Sequence, residues 1–158
     1  MTTFQDHTYQ TYKSPFGKLI IVSNGKAITN ITLESKIAPE CKKEADELTD
    51  KAAEQLSEYF AGKRREFDIP LDPCGSDFQC KVWKALKKIP YGQTRSYKQV
   101  AYMINNPNAC RAVGLANNKN QIWIIIPCHR VIGSDGKLVG YGGGLAMKQK
   151  LLEIESNK

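Results

Sequence analysis

An apolar run that ends in a proline and a cysteine-histidine pair constrains this chain more than any other feature. Residues 122–126 read Ile-Trp-Ile-Ile-Ile, and Pro127, Cys128 and His129 follow directly. A run so rich in β-branched side chains predicts a buried strand, and Pro127 ends it because proline has no backbone N–H. We therefore expect the fold to hold the Cys128 thiol rigidly at the end of a strand, next to an imidazole.

The pair of Cys128 and His129 has two interpretations. A buried structural cysteine beside an unrelated histidine is the commoner origin of an arbitrary pair of this kind. However, His129 is one of only two histidines, and a glycine-rich segment at residues 140–144 follows closely. A cysteine reacts as its thiolate, and a neighbouring base is the usual way to generate one. We therefore favour a reactive thiol.

Charge and length narrow the class of protein. The 158 residues are enough for one sizeable core or two small ones, and the net charge of +7 indicates a polyanionic partner, either nucleic acid or an anionic membrane surface. Basic clusters such as residues 63–65 and 87–88 are more often plain solvated surface than contacts. There is no apolar segment long enough for a membrane span and no signal-peptide pattern at the N-terminus.

Cysteine usage indicates a reducing environment. The number of cysteines is odd and no two are spaced as C-x-x-C: they are Cys41, Cys74, Cys80, Cys110 and Cys128. This pattern fits free thiols in the cytoplasm better than a disulfide framework. It also argues against zinc, whose cysteine ligands usually come in closely spaced pairs.

The first half of the chain predicts a small antiparallel sheet with one helix. Asn24-Gly25 is a two-residue hairpin signal, and residues 44–61 have a helical apolar stripe that ends before Gly62. Residues 72–75 read as a linker. The predicted strands are residues 8–13, 19–22, 27–33 and 66–71.

The second half is predominantly helical. Capping boxes at residues 76–79 and 96–99 predict helices that run to about Ile89 and Ile104. Pro107 suits the first position of a third helix. Two short helices across a tight turn resemble a helix-turn-helix, although an ordinary αα-hairpin is the commoner arrangement.

The third helix carries one long cation on a surface of small residues. Arg111 is followed by Ala112 and Gly114. Small residues permit close approach of the backbone to a ligand, whereas base readout in the major groove needs several long polar side chains. The surface would suit the minor groove, with Arg111 as a probe. The alternative is an arginine paired with a carboxylate on a packed helix.

These motifs together closely resemble the O6-alkylguanine-DNA alkyltransferases, also called methylated-DNA–protein-cysteine methyltransferases. The match spans nearly the whole second half, in order and at the family's spacing, and the first half matches more loosely. The matching residues are Phe78-Gln79, Val82-Trp83, Pro90-Tyr91-Gly92, Ser96-Tyr97, Asn106-Pro107, Arg111-Ala112-Val113-Gly114, Asn120, Ile126 to Val131, Tyr141, Gly143-Gly144-Leu145, Leu151-Leu152 and Glu155.

The resemblance implies an α+β protein of two domains. Residues 1–73 would form a small antiparallel sheet with a helix, of the ribonuclease-H-like kind. Residues 74–158 would form a mostly helical domain for DNA binding and alkyl transfer, with a helix-turn-helix. We expect a cytoplasmic protein, associated with the nucleoid in a prokaryote, that acts as a monomer, with cooperative binding along DNA left open.

The implied reaction moves an alkyl group from guanine O6, and by extension thymine O4, in double-stranded DNA to Cys128. His129 would remove the thiol proton through a bound water, and Glu155 would orient the imidazole. Spacing independently places Glu155 on the packed face of the last helix, four residues after Leu151. Because a thioether has no easy leaving group, each molecule would react once.

The resemblance also implies roles in binding. Arg111 would enter the minor groove, with Ala112 and Gly114 against the DNA, and fill the space left by a flipped base. Tyr97 would donate a proton to the leaving guanine and Asn120 would hold the site together, with residues 117–120 as a wing. The base would lie in a pocket lined by Trp123, Val131, Tyr141, Gly142 and Gly143.

Two departures from the family pattern bear on these expectations. Some members bind zinc near the N-terminus, but this chain has only His7 and Cys41 there, so we expect no metal and no cofactor. Gly142 removes a side chain that could offer a hydroxyl, which leaves the tolerance for bulky alkyl groups open.

Two other function classes compete: a lesion-binding DNA protein without chemistry, and a thiol hydrolase that uses Cys128 and His129.

Overall fold

A computed structural model describes residues 7–34 and 41–156 of the chain. The chain divides into two compact units, Met1–Cys74 and Gly75–Lys158. Within the described ranges, no helix has both the length and the apolar character needed to cross a bilayer. The N-terminal residues 1–6, on which the expected lack of a signal peptide rests, lie outside these ranges.

The first unit is built on a four-stranded sheet. The strands are ordered β3-β2-β1-β4, and all neighbours are antiparallel except β4, which runs parallel to β1. The central strand β2 supplies the apolar core, because residues 19–22 are all buried. The two-residue strand β4 has no signal in the sequence. The strands are β1 (Thr8–Ser14), β2 (Gly17–Ser23), β3 (Ile28–Leu33) and β4 (Lys42–Lys43).

One amphipathic helix, α1 (Glu47–Phe60), completes this unit. Asp46 caps it: its carboxylate accepts from the Thr49 backbone N–H at 2.7 Å, and the Thr49 hydroxyl accepts from the Asp46 N–H at 2.9 Å. The helix therefore begins three residues later than predicted. Ala52, Leu56 and Tyr59 form its buried stripe.

Two details of the first unit differ from the sequence prediction. The predicted strand at residues 66–71 is wrong: only Leu71 forms a bridge, to Ile28, and Pro70 cannot donate to a ladder. The connection after β2 is also longer than a two-residue turn. The Asn24 side chain accepts from the N–H groups of Lys26 and Ala27, both at 2.9 Å, which closes a wider loop.

The second unit is mainly helical, with one short parallel strand pair. Ser76 and Ser96 form the two predicted capping boxes, and Trp83 ties the first helix to the third by donating from Nε1 to the Ala116 carbonyl at 2.9 Å. The α+β class is confirmed. The elements are α2 (Asp77–Leu86), β5 (Arg95–Ser96), α3 (Tyr97–Met103), α4 (Cys110–Asn118), β6 (Val131–Ile132) and α5 (Leu145–Ser156).

Helices α3 and α4 pack together across a turn at residues 104–109. The prediction that Pro107 opens α4 is wrong, because the helix begins at Cys110. Pro107 instead lies in a turn closed by the Ala109 N–H, which donates to the Asn106 carbonyl at 3.0 Å. A proline fits that turn equally well, since both positions need only a fixed φ and no N–H.

The apolar run at residues 122–126 does not form a strand, so the prediction of a buried strand before Pro127 is wrong. The Ile125 N–H donates to the Trp123 carbonyl at 2.8 Å, which closes a tight turn around Ile124. Ile124 has a φ of 73°, a conformation that β-branched residues rarely adopt. The run is buried, as predicted, but as a compact turn that leads into a 3-10 turn at Cys128–Arg130.

Candidate active site

Asn120 braces the backbone that leads to Cys128. Its Nδ2 donates to the carbonyls of Ile122 at 3.3 Å and Ile126 at 2.8 Å, while its Oδ1 accepts from the Ile122 N–H at 3.0 Å. One buried amide therefore satisfies three backbone groups across the turn that contains the strained Ile124. The segment that leads to the Cys128 thiol is therefore held by the hydrogen bonds of Asn120, and not by strand pairing as predicted.

Two further contacts connect Cys128 to the helices. The Asn117 Nδ2 donates to the Cys128 carbonyl at 3.3 Å. Asn117 is buried in the last turn of α4, so the prediction that residues 117–120 form a wing is wrong. On the other side, β6 begins at Val131 and pairs with β5 (Arg95–Ser96), which directly precedes Tyr97. This pairing brings the start of α3 to the segment that carries the thiol.

His129, Arg130 and Glu155 form a buried network. The His129 Nε2 lies 2.6 Å from the Glu155 Oε2, and Arg130 donates from Nε to Oε1 at 2.8 Å and from Nη2 to Oε2 at 3.0 Å. Arg130 also donates to the Ile89 carbonyl at 2.7 Å. All three residues are buried. The structure thus brings His129 and Glu155 together, and adds an arginine that the sequence reasoning did not include.

Electrostatics in this network fix the protonation of His129. Burial opposes ionisation of Glu155, but hydrogen bonds from His129 and Arg130 outweigh it and lower the Glu155 pKa to about 2. Glu155 is therefore a carboxylate, which can only accept, so the His129 Nε2 carries the hydrogen. Burial lowers the pKa of His129. Its Nδ1, which has no hydrogen-bond partner in the described ranges, is left as a free base.

The Cys128 thiol is protonated in the resting protein. Burial raises its pKa to about 11, and the Asn120 side chain and the charge of Lys148 offset only part of that effect. The thiolate is thus not preformed, in contrast to cysteines in electropositive exposed sites. A reaction of this thiol at neutral pH would need a base, and His129 is its neighbour in the chain.

Tyr97 and Lys148 converge on residues 139–144, which we call the pocket loop. The Tyr97 hydroxyl donates to the Val139 carbonyl at 2.7 Å. Lys148 Nζ donates to the carbonyls of Val139 at 2.9 Å and Gly140 at 3.2 Å, and lies 6.0 Å from the centre of the Tyr97 ring. Burial raises the Tyr97 pKa, with a smaller contribution from the charge of Cys128.

The glycines of the pocket loop are needed for close packing on Trp123. A Cβ at Gly142 would lie 2.6 Å from the indole, and one at Gly143 would lie 3.2 Å from it and collide with Met147. Tyr141 packs on the same indole, with ring centroids 5.5 Å apart. Trp123 therefore occupies the space in which a side chain at position 142 would lie.

Arg111 lies apart from this buried cluster, on the exposed face of α4. It forms no ion pair with any residue in 7–34 or 41–156, which contradicts the alternative of a carboxylate-paired arginine on a packed helix. Ala112 beside it is also exposed. Gly114 turns inward, where an added Cβ would meet the Tyr97 ring at 3.8 Å.

The described part of the chain offers no group of residues that could form a metal centre. Across residues 7–34 and 41–156, no three His, Cys, Asp or Glu side chains come together in a way that could hold an ion.

Comparison with known proteins assigns the family. The model for the 6-O-methylguanine DNA methyltransferase DNA-binding domain matches residues 77–157, and the model for the ribonuclease-like domain of the same family matches residues 7–73. The chain belongs to the 6-O-methylguanine DNA methyltransferase family. The resemblance stated from the sequence is confirmed.

Several members of this family are similar over almost their whole length. A methylated-DNA–protein-cysteine methyltransferase of Methanosarcina barkeri is 51% identical over 94% of this chain and 97% of its own. One of Mycobacterium bovis is 50% identical over 95% and 93%. The crystal structure of Mycobacterium tuberculosis OGT in complex with DNA superposes with a TM-score of 0.89 at 49% identity, covering 94% of this chain and 92% of that one.

Sequence reasoning missed two charged residues of this family member's site, Arg130 and Lys148. Arg130 lies inside the matching motif Ile126 to Val131, but no role was predicted for it. Lys148 lies three residues before Leu151 and seven before Glu155, so the helical spacing that places Glu155 on the packed face of α5 also places Lys148 there. The spacing could therefore have identified Lys148 as a candidate site residue, since a lysine is rarely buried unless it is paired.

Proposed function

We propose that this chain is a single-turnover DNA repair protein that transfers an alkyl group from guanine O6 in double-stranded DNA to its own Cys128. The observation that carries the proposal is the buried sequence Cys128-His129 with Glu155 2.6 Å from the imidazole. Relatives about half identical to it over more than nine-tenths of the chain are named methylated-DNA–protein-cysteine methyltransferases. Thymine O4 is a second alkylated position that the same chemistry could serve.

Thiolate formation is the first chemical step. The proton leaves Cys128 Sγ and reaches His129 Nδ1 through a bound water, because the other ring nitrogen is held by Glu155. The resulting imidazolium lies against a carboxylate, which stabilises its charge. Glu155 also pairs with Arg130, so the carboxylate stays fixed in position while the histidine changes charge.

Alkyl transfer then exchanges one bond for another. The thiolate attacks the alkyl carbon, the S–C bond forms, and the C–O6 bond breaks with its electron pair going to guanine. The Tyr97 hydroxyl supplies a proton to the leaving guanine, and solvent restores it. In the resting protein that hydroxyl donates to Val139, so it must change partner. The thioether on Cys128 has no good leaving group, which limits each molecule to one transfer.

DNA binding is assigned to α3 and α4 acting as a helix-turn-helix. The exposed, small-residue surface of α4 around Ala112 allows close approach to the minor groove, and the unpaired Arg111 can enter the stack. A base inside a duplex is out of reach of a buried thiol, so it must be flipped into the site. Trp123, Tyr141 and the pocket loop would then enclose it, with Val131 beside the thiol.

The two units would divide the work. The predicted second domain, residues 74–158, holds every residue named above for binding and transfer. Residues 1–73 form the ribonuclease-H-like unit, to which we assign no chemical step. We propose a monomer, since one thiol, one base and one DNA-reading helix suffice for a single transfer.

Mass spectrometry of intact and digested protein tests this function directly. Incubation with duplex DNA containing O6-methylguanine should add one methyl group per molecule, on the peptide that carries Cys128. Cys128→Ser should bind the DNA without acquiring mass, while Cys80→Ser, on a cysteine in α2, should react normally. A methyl group on Cys41, Cys74, Cys80 or Cys110 instead would overturn the assignment.

A lesion-binding protein without chemistry is the second candidate. Its supporting observation is the resting thiol, whose pKa is raised to about 11 by burial. Such a protein would bind DNA containing O6-methylguanine more tightly than undamaged DNA and would gain no mass. The same experiment therefore separates the two functions.

A further inference from the structure

Lys148 is a buried cation that the mechanism above does not use. It lies in α5 with none of its surface exposed. A lysine is almost never fully buried unless it is paired, and in the described ranges its ammonium has no carboxylate within ion-pair distance. Among the described residues, its ammonium donates to the carbonyls of Val139 and Gly140. Two backbone acceptors do not neutralise a buried charge, so its retention calls for another interaction.

The position of Lys148 connects the pocket loop to the reacting groups. The Val139 carbonyl accepts two hydrogen bonds, from Lys148 and from the Tyr97 hydroxyl. If Tyr97 turns to the guanine during transfer, Lys148 is the donor that continues to hold Val139. The pocket loop can then keep its shape around the base while one of its two supports is in use.

The charge of Lys148 also acts on the nucleophile. Burial lowers its pKa to about 8, and the negative charge of the Cys128 thiolate acts in the opposite direction. The same pair of charges lowers the Cys128 pKa. Of the other ionisable groups, Tyr97 also interacts with the charge of Cys128, His129 is the next residue in the chain, and Arg130 is already paired with Glu155.

We propose that Lys148 is a positioning residue for alkyl transfer, which anchors the pocket loop through Val139 and Gly140 and whose positive charge favours the thiolate of Cys128. The inference rests on the proposed function. It accounts for the burial of the cation, because the charge that is unfavourable in the resting state becomes paired when the thiol loses its proton.

The test measures the transfer rate at saturating duplex DNA between pH 6 and 10. Lys148→Met removes donor and charge, Lys148→Gln keeps a donor without the charge, and Lys148→Arg keeps the charge. Lys150→Met, two residues further along α5 and exposed, is the matched control. The DNA dissociation constant and the thermal midpoint are measured for each variant.

The readout is the ratio of the variant rate to the wild-type rate at each pH, because the Cys128 pKa of about 11 lies above this range. We expect Lys148→Met and Lys148→Gln to transfer about tenfold more slowly at pH 7, and this gap to narrow above about pH 8, where Lys148 of the wild type loses its proton. Lys148→Arg should transfer at close to the wild-type rate at pH 7. DNA affinity should stay the same in all variants, and Lys150→Met should match the wild type.

A merely structural lysine predicts a different result. Its loss would lower the thermal midpoint and slow transfer by the same factor at every pH, and that outcome would overturn the proposal. If Lys148→Met does not fold, Lys148→Gln decides, because its amide can still donate to the pocket loop. Failure of the proposed function is distinguishable, since wild-type protein would then acquire no methyl group at any pH.

Discussion

The two units of this chain bury polar groups in different ways. Among residues 7–34 and 41–74 of the first unit, the buried polar side chains are serine, threonine, asparagine and glutamine, together with His7. In the second unit Arg130, Lys148 and Glu155 are buried beside His129. Both units have an apolar core, so the buried charges of the second are not required for folding as such. Strongly perturbed, buried titratable groups cluster where chemistry is done.

This contrast has a physical cause. A buried neutral hydroxyl or amide is satisfied by one or two hydrogen bonds, whereas a buried charge needs a partner and often contributes nothing net to stability. Folding stability alone therefore does not account for buried charges. The second unit holds a carboxylate between His129 and Arg130 and a separate ammonium near a thiol. If the buried charges of the second unit serve the reaction, changes to them should affect transfer more than changes in the first unit.

The largest effect is expected from Glu155→Gln. The amide keeps the shape of the side chain but removes the charge that holds His129 and Arg130, and general-base catalysis is worth roughly 10²-fold or more. Transfer from O6-methylguanine in a duplex should slow by roughly that factor, with unchanged DNA affinity. Glu153→Gln, on the exposed face of α5, is the control. A wild-type rate in Glu155→Gln between pH 6 and 9 would show that Glu155 takes no part in thiolate formation.

Removal of Arg111 should have the next largest effect, and only where a base must be extruded. Unstacking and unpairing cost a few kcal/mol in a duplex, so Arg111→Ala should react roughly 10- to 100-fold more slowly with O6-methylguanine in a duplex. Transfer from free O6-benzylguanine, if it enters beside Trp123, or from a single strand should be nearly normal.

A phosphate contact would behave differently from a side chain that extrudes the base. Lys119→Ala, at an exposed cation directly after α4, should weaken binding in a way that shrinks at low salt. An equal loss for Arg111→Ala on all substrates would mean that Arg111 supports the fold or the pocket, and would remove it from the extrusion step.

Acid stability should reveal the buried carboxylate of the second unit. The pKa of Glu155 is lowered to about 2 in the folded protein, against about 4.3 for an unperturbed glutamate. A lowered folded-state pKa adds stability above the unfolded pKa that is lost as pH falls from about 5 towards 2. Urea unfolding at pH 7 and pH 3 should show a drop of about 2 kcal/mol attributable to Glu155, because pH 3 is still above its folded pKa.

The matched measurement is the same drop in Glu155→Gln. Other carboxylates, such as the capping Asp46, contribute equally to both proteins. The difference between wild type and variant therefore isolates Glu155. If the two proteins lost stability in parallel, the carboxylate would not be held by its partners in solution.

Much of this molecule can be predicted from local patterns. The capping boxes at Ser76 and Ser96 were confirmed because the residues that satisfy the first N–H groups of a helix lie within four positions. The family and the α+β class were also predictable, and confirmed. These features depend on short-range spacing or on several motifs in order.

The errors have a common origin in long-range or side-chain hydrogen bonds. Residues 122–126 have the composition of a strand, but the Asn120 amide bonds two of their carbonyls and closes a turn instead. The packing of Gly142 against Trp123, nineteen residues earlier, was likewise not predicted. Lys148 was overlooked because a lysine in a helix is usually solvated. None of these partners is visible from composition alone.

Methylation of Cys128 should destabilise the protein by a smaller amount. The thiol is buried against a turn braced by Asn120, and an added methyl group in a packed site costs about 1–3 kcal/mol. The thermal midpoint should fall by about 2–4 °C for each kcal/mol. Cys128→Ser treated with the same DNA should not change. An equal or higher midpoint in the methylated protein would show that the site has room for the group at rest.

The smallest effect on chemistry is expected from a change in the core of the first unit. Ile31 in β3 is fully buried, and Ile31→Val removes one methylene at a cost of about 0.5–1.5 kcal/mol in the free energy of unfolding. Because every group that we assign to transfer lies in the second unit, the folded variant should transfer at the wild-type rate. The rate is measured by methylation of the Cys128 peptide, well below the thermal midpoint. A loss of rate comparable to that of Glu155→Gln would show that the first unit takes part in the reaction, and that buried charge does not mark where the chemistry is confined.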